Sequence, residues 1–201
     1  GLEAAQQAGF DQIFEFDLDQ APYESDQLFH FFAKRLPNKG RPSYKKLLSY
    51  LGLASDASSW DILLRTKGRL GGDAYECIEP IEERLGSFHI PCFVEGVRYY
   101  DYREGKIPLE VGDSLTLVCE EDNTRDPHAV QVKTQSDHLI GYVPAVYSLY
   151  VSDAVKEGRL TNATIRHLNP NGPPQLAVAM QIEGVARMER SSGAEAFVFA
   201  S

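Results

Sequence analysis

An arginine followed by two tyrosines, Arg98-Tyr99-Tyr100, offers the side chains of this sequence best suited to hold a nucleic-acid strand. Tyrosine rings can stack on bases and a guanidinium can bind phosphate, and both are used in single-strand recognition. The three residues end an apolar run that predicts a β-strand over Phe88–Tyr100. Because neighbouring strand residues point to opposite faces, at most one tyrosine is expected in the core. An ordinary amphipathic edge strand would explain the same residues.

A polar loop and a later tyrosine add further candidate contacts. Asn123 and Asp126 flank a turn, where such side chains usually hydrogen bond to their own backbone. The Asp126 carboxylate could also accept a hydrogen bond from a sugar hydroxyl, and Arg125 beside it could supply phosphate charge. Tyr142 follows Gly141, where the backbone can approach a ligand closely, so Tyr142 either lines a pocket rim or packs in the fold.

Metal and catalytic motifs receive little support from the sequence. His89 and Cys92 have ligand-like spacing, but a structural zinc site needs a second close pair, and strand alternation puts these two on opposite faces. The acidic loop lacks the central glycine and alternate spacing of a calcium loop, although four carboxylates crowd it: Glu120, Glu121, Asp122 and Asp126. The sequence contains no GxSxG, HExxH or GxxxxGK[ST] motif. We therefore predict no enzyme activity, no catalytic residue, no metal and no cofactor.

Composition limits the kind of nucleic-acid site that can exist. The 201-residue chain has a formal net charge of −9, from 20 Lys and Arg against 29 Asp and Glu. Nonspecific nucleic-acid binders usually display a basic surface, so binding here is expected in a local pocket that grips one strand end. The three cysteines are an odd number, which favours buried thiols in a reducing cytoplasm. No apolar run reaches the roughly 20 residues of a membrane span, and the opening residues read as a domain fragment.

The first part of the chain, residues 1–86, is predicted to be a small helical unit that is incomplete at its start. A first helix is capped by Ser25 and runs to Leu36, and a second runs from about Pro42 to Leu51. A third helix follows Ser58 and ends at Gly68, and its predicted buried face carries Trp60, Leu63 and Leu64. Short strands are predicted over Ile13–Phe16 and Ala74–Ile78, and the charged segment 82–84 is predicted to be the seam between units.

The second part, residues 87–201, changes to the period of β-structure. A single helix is predicted over Ala145–Lys156, and a last short strand over Phe197–Phe199. The other strands are predicted at Phe88–Tyr100, Ser114–Cys119, Ala129–Lys133, Leu139–Val143, Leu160–Leu168 and Gln175–Glu183. Short strands with one helix indicate an α+β protein whose second domain is an OB-like, partly closed β-barrel.

Three runs of this region, GVRYYD, EDNTRDPHAVQV and IGYVP, resemble the hallmark segments of HIRAN domains in order and spacing. The resemblance covers residues 88–160 well and 160–185 weakly, and it is with the bacterial type of the family. It implies an OB-like fold that holds the 3′ end of single-stranded DNA, with a role in DNA repair, replication or mobile elements. The residues implied to contact DNA are Arg98, Tyr99, Tyr100, Asn123, Arg125, Asp126 and Tyr142.

Two departures from the family pattern affect that expectation. Arg125 stands where an aromatic residue precedes the loop aspartate, and Pro144-Ala145 stands where a lysine follows the glycine. A stacking partner is therefore missing, and Arg125 is expected to supply phosphate charge instead. Two alternatives remain open: a protein-interaction module that docks a nuclease or ATPase partner, and an accessory region of a hydrolase whose acid-anhydride chemistry belongs to a partner. No membrane partner is expected.

Overall fold

The computed structural model describes residues 22–70, 75–100 and 107–187, together with positions 7, 9, 15 and 16. The chain divides into two compact units, residues 1–78 and 79–201. The division lies before the predicted boundary at residue 86 because the charged segment Glu82–Arg84 is itself a strand and pairs with Ser87–Phe93. Helices and sheets are both present, so the predicted α+β class is confirmed.

The first unit contains three short helices: α1 (His30–Ala33), α2 (Tyr44–Tyr50) and α3 (Ser59–Thr66). α3 starts with a capping box, in which the Ser58 hydroxyl accepts from the Asp61 amide at 3.1 Å and the Asp61 carboxylate accepts from the Ser58 amide at 2.9 Å. The hydrogen bond with Ser58 also holds the pKa of the Asp61 carboxyl below its usual range. α3 begins directly after Ser58 as predicted, and α2 begins two residues after the predicted start at Pro42. α1 is much shorter than the predicted helix that runs from Ser25 to Leu36.

Some predictions for the first unit fail or cannot be placed. Residues 75–78 form no strand, so that part of the predicted Ala74–Ile78 strand is wrong. Trp60, predicted on a buried face, is half exposed, whereas Leu63 is buried as predicted. Most of the predicted strand at 13–16 lies outside the described residues, and so does the whole of the strand predicted at 197–199.

The strands of the second unit form two antiparallel sheets. The first has the order β1 (Glu82–Arg84), β2 (Ser87–Phe93), β7 (Val178–Val185), β6 (Leu160–Leu168). The second has the order β3 (Leu115–Cys119), β4 (Val130–Thr134), β5 (Leu139–Tyr142). Helix α4 (Ala145–Lys156) follows β5 and contacts β3, β4 and β6. The bounds of α4 and β6 are those predicted from the sequence.

The predicted partly closed barrel is corrected to two separate sheets. Outside the regular ladders, single bridges pair Glu95 with Tyr142 and Ser114 with Thr164, and each joins a residue of one sheet region to the other. β2 ends at Phe93, and residues Val97–Tyr99 form one turn of 3-10 helix instead of the end of a strand. The turn begins at Gly96, whose φ of +77° favours glycine and breaks the extended chain.

Alternating apolar residues of both sheets and one face of α4 form a shared core. Phe88, Ile90, Val94, Val132, Ile140, Ile165 and Ile182 are among its fully buried members. Burial of these side chains is the main driving force for holding the two sheets together, because few hydrogen bonds join them. None of the helices in the described part of the chain is long and apolar enough to span a bilayer.

Candidate nucleic-acid interface

Three tyrosine rings surround Gly96. A methyl group built on Gly96 would lie 3.8 Å from the Tyr100 ring and 3.9 Å from the rings of both Tyr99 and Tyr142. The centroids of Tyr100 and Tyr142 are 6.4 Å apart, and their planes are tilted by 50°. The fold therefore gathers all three sequence-predicted tyrosines into one cluster, which we call the tyrosine cluster (Tyr99, Tyr100 and Tyr142).

The cluster depends on a close backbone crossing between the two sheets. Glu95 and Tyr142 exchange two backbone hydrogen bonds of 2.9 Å, which brings the segment after β2 against the end of β5. Gly141 permits this crossing, since a Cβ there would collide with the Glu95 carbonyl oxygen and lie 2.5 Å from the Val94 side chain. The glycine before Tyr142 is therefore needed for the approach of another strand, and the predicted close approach of a ligand is not required to explain it.

The exposed edge of the cluster is cationic. The Arg98 guanidinium lies over the Tyr99 ring, 4.5 Å from its centroid, and hydrogen bonds with the Tyr99 hydroxyl. Tyr99 is 70% exposed, whereas Tyr100 and Tyr142 are half-buried. The two consecutive tyrosines differ in exposure, as predicted. The difference arises because Val97–Tyr99 form a helical turn, so the strand alternation on which the prediction was based is wrong. The arrangement offers a ring face and a positive charge to solvent.

The inner edge of the cluster is anionic. Tyr142 hydrogen bonds with Tyr100 and with Glu120, the residue that follows β3. Because a carboxylate only accepts, the Tyr142 hydroxyl donates to Glu120, and its oxygen is left to accept from Tyr100. Burial, and then the hydrogen bonds with Tyr100 and Glu120, raise the pKa of Tyr142 far above its usual range. Tyr142 is consequently a neutral hydrogen-bond donor at any physiological pH.

The loop between β3 and β4 is fixed by its own side chains. The Asn123 side-chain oxygen accepts from the amides of Arg125 at 2.9 Å and Asp126 at 3.0 Å. The Asp126 carboxylate accepts from the His128 amide at 2.8 Å. Both residues therefore have the turn-forming role that the sequence already allowed for. Asp126 is half-buried and uses one oxygen in this bond, while the Arg125 side chain is exposed.

The comparison with known families identifies the second unit. The HIRAN domain family model matches residues 87–185 of the chain. Residues 87–185 are a HIRAN domain. HIRAN domains are nucleic-acid-binding modules, and the match contains both the tyrosine cluster and the loop.

Two solved structures are similar to this HIRAN domain. The crystal structure of the HIRAN domain of human HLTF matches at 15% identity and a TM-score of 0.40, over 51% of this chain and 84% of the other. A protein from Lactobacillus plantarum matches at 21% identity and a TM-score of 0.40, over 49% of this chain and 99% of the other. No curated protein matches the chain.

Two residues that organise the tyrosine cluster and its inner edge, Gly96 and Glu120, were not among the site residues predicted from the sequence. Gly96 escaped notice because the apolar run around it reads as one continuous strand. Glu120 was considered only as part of a possible ion-binding loop, although its position three residues before Asn123 is the spacing of a side chain that can bond across a turn. Its partner Gln131 faces Tyr142 in the β4–β5 ladder, which a strand register would have indicated.

A serine, a histidine and a glutamate also meet on the first sheet of the HIRAN domain. The Ser87 hydroxyl lies 3.4 Å from His89 Nε2, and His89 Nδ1 lies 3.6 Å from the Glu183 carboxylate. The Ser87 hydroxyl donates its proton to the Arg84 carbonyl at 2.8 Å, so His89 does not receive it, and the group lacks the geometry of an activated nucleophile. In the described part of the chain no group of three or more His, Cys, Asp or Glu could hold a metal ion.

Proposed function

We propose that this HIRAN domain binds single-stranded DNA at a free 3′ end, with the tyrosine cluster as its reading surface. The observation that carries the proposal is the convergence of three tyrosine rings on Gly96 beside an exposed guanidinium. An exposed aromatic face next to a cation is a typical arrangement for binding unpaired bases and their phosphates.

The charge of the protein supports a small site over a broad one. With a net charge of −9, the chain is unsuited to coat a duplex through many phosphate contacts. Arg98 and Arg125 are exposed and can each neutralise one phosphate. Two contacts and one or two stacked bases are enough to hold the last nucleotides of a strand but leave little affinity for a continuous backbone.

Fluorescence anisotropy with a 5′-labelled oligonucleotide of about ten nucleotides tests the proposal. We expect the free 3′-hydroxyl strand to bind, and the blunt duplex of the same sequence to bind much more weakly because its bases are paired. A 3′-phosphate adds about −1.5 to −2 of charge and three oxygens at the end of the strand, so it should weaken binding.

Each comparison addresses a different part of the proposal. Equal affinity for the hydroxyl and phosphate ends would refute end capture and leave general strand binding. Absence of binding to either single strand would refute the DNA function itself. The 5′ label is common to all strands, so it does not enter these comparisons.

A protein-docking module that recruits a nuclease or ATPase is the second candidate. The observation that favours it is a pair of exposed apolar side chains one helical turn apart on α4, Val146 at 48% and Leu149 at 54% exposure. Val146→Glu with Leu149→Glu should leave oligonucleotide affinity unchanged if DNA is read at the tyrosine cluster.

A further inference from the structure

The two edges of the tyrosine cluster carry opposite charges. Arg98 lies over the exposed Tyr99 ring at one edge, and Glu120 bonds to the hydroxyl of the half-buried Tyr142 at the other. A strand that stacks on the cluster must therefore place chemically different groups at the two edges. Phosphates are favoured beside Arg98 and disfavoured beside Glu120.

Glu120 is held in place as an ion. Its carboxylate accepts from Asn123 Nδ2 at 2.6 Å, from Gln131 Nε2 at 2.8 Å and from the Tyr142 hydroxyl. These donors belong to the loop, to β4 and to β5, so the carboxylate is fixed from three directions. The hydrogen bond with Asn123 is the main reason that the pKa of Glu120 lies below its usual range. The Glu120 carboxylate is therefore charged at neutral pH.

We propose that Glu120 determines which end of a DNA strand the Tyr100–Tyr142 pair accepts, by refusing phosphate and admitting a neutral hydroxyl or base edge. This inference rests on the proposed function. It also gives the bound strand a direction, with its phosphates toward Arg98 and its uncharged terminus toward Tyr142. Glu120 acts partly through Tyr142, whose hydroxyl it orients, and is in that respect a positioning residue.

The expected size of the effect follows from charge and distance. A phosphate in contact with the Tyr142 hydroxyl oxygen would lie roughly 6 Å from the Glu120 carboxylate, given oxygen–oxygen distances of about 2.7 Å on each side of that hydroxyl. Repulsion between a doubly charged terminal phosphate and one carboxylate at that distance in water amounts to about a ten-fold loss of affinity. The parent protein should therefore prefer the 3′-hydroxyl strand by about ten-fold or more.

The test is the ratio of affinities for the 3′-hydroxyl and 3′-phosphate strands in Glu120→Gln and in Glu121→Gln. Glutamine keeps the size and one acceptor oxygen but removes the charge, so the ratio should fall toward one in Glu120→Gln. Glu121→Gln removes the same charge from the next, exposed position and should keep the parent ratio. Use of the ratio cancels any general weakening caused by a disturbed loop.

The outcomes separate this inference from the proposed function. If the parent discriminates and Glu120→Gln discriminates equally, the inference is overturned while end capture stands. If both glutamine variants lose discrimination alike, the general acidity of the loop is responsible and Glu120 has no special role. If the parent binds neither strand, or binds both equally, the proposed function fails and the inference fails with it.

Ionic strength supplies a second measurement that needs no variant. Charge exclusion is screened when the Debye length falls from about 10 Å at 0.1 M salt to about 3 Å at 1 M, whereas steric exclusion is not. The preference of the parent protein for the hydroxyl end should therefore shrink at least three-fold over that range. A preference that stays constant would overturn the role of Glu120 even if Glu120→Gln does not fold.

Discussion

Tyr99→Ala should weaken DNA binding by about 5- to 150-fold while leaving the fold nearly unchanged. Tyr99 is 70% exposed, so truncation removes little buried area, and exposed substitutions usually change stability by no more than about 0.5 kcal/mol. Loss of the exposed contact between the Tyr99 ring and Arg98 adds about 0.5–1 kcal/mol to the decrease in the free energy of unfolding. A stacked base is worth about 1–3 kcal/mol, which gives the expected loss of affinity.

Anisotropy titration and a thermal melt, made on the same samples, separate the two effects. Tyr99→Phe is the matched control, because it keeps the stacking face and should bind within about three-fold of the parent. Tyr142→Ala is the contrast, since it opens a half-buried site and breaks the bond to Glu120, and should lower the melting temperature clearly. Parent-like affinity in Tyr99→Ala would refute the assignment of this ring as a base platform.

Three further results are expected. Binding of single-stranded DNA should show a log–log salt slope of about −1.5 to −2, for two or three phosphate contacts, and a slope steeper than about −5 would contradict the small site. Gly141→Ala should lower the free energy of unfolding by at least about 2 kcal/mol in a denaturant titration, because the added methyl group meets the Glu95 carbonyl. Gly158→Ala is the control, since its methyl group enters open space and should cost less. Equal losses in the two variants would contradict the backbone crossing at Gly141. Ser58→Ala should cost about 1 kcal/mol of helical-unit stability by removing the capping box, and an unchanged melt would disprove that role.

Local signals predicted most of the regular elements. Helix α4 lies at its predicted bounds because Pro144 cannot continue the preceding strand and Gly158 adopts a φ of +65° just beyond the helix. The strand β6 is likewise set by its own pattern and by the turn after it. The charged strand β1 was missed, because all three of its residues are exposed and show no alternation.

The site was predicted in its residues but not in its geometry. Tyr99 and Tyr100 were assigned to a strand because apolar alternation continues through Gly96, and only the crossing of Tyr142 shows why the chain must turn there. The predicted partly closed barrel differs from the two separate sheets for a related reason, since pairing between distant strands is decided by the whole core and not by either strand alone. The predicted end preference, site roles and cytoplasmic location stay predictions.

The pairing of β2 with β7 makes the order of synthesis matter for this domain. β2 lies between β1 and β7, and its partner residues in β7 run from Ala179 to Val185, about 90 residues further along the chain. At about 5–20 residues per second, a ribosome exposes one edge of β2 for roughly 5–20 s before β7 is made. During that interval the nascent chain holds an apolar strand, SFHIPCF, with an unpaired edge, which is a template for aggregation. A nascent chain that stops before Val178 should therefore need a chaperone, whatever the stability of the finished domain.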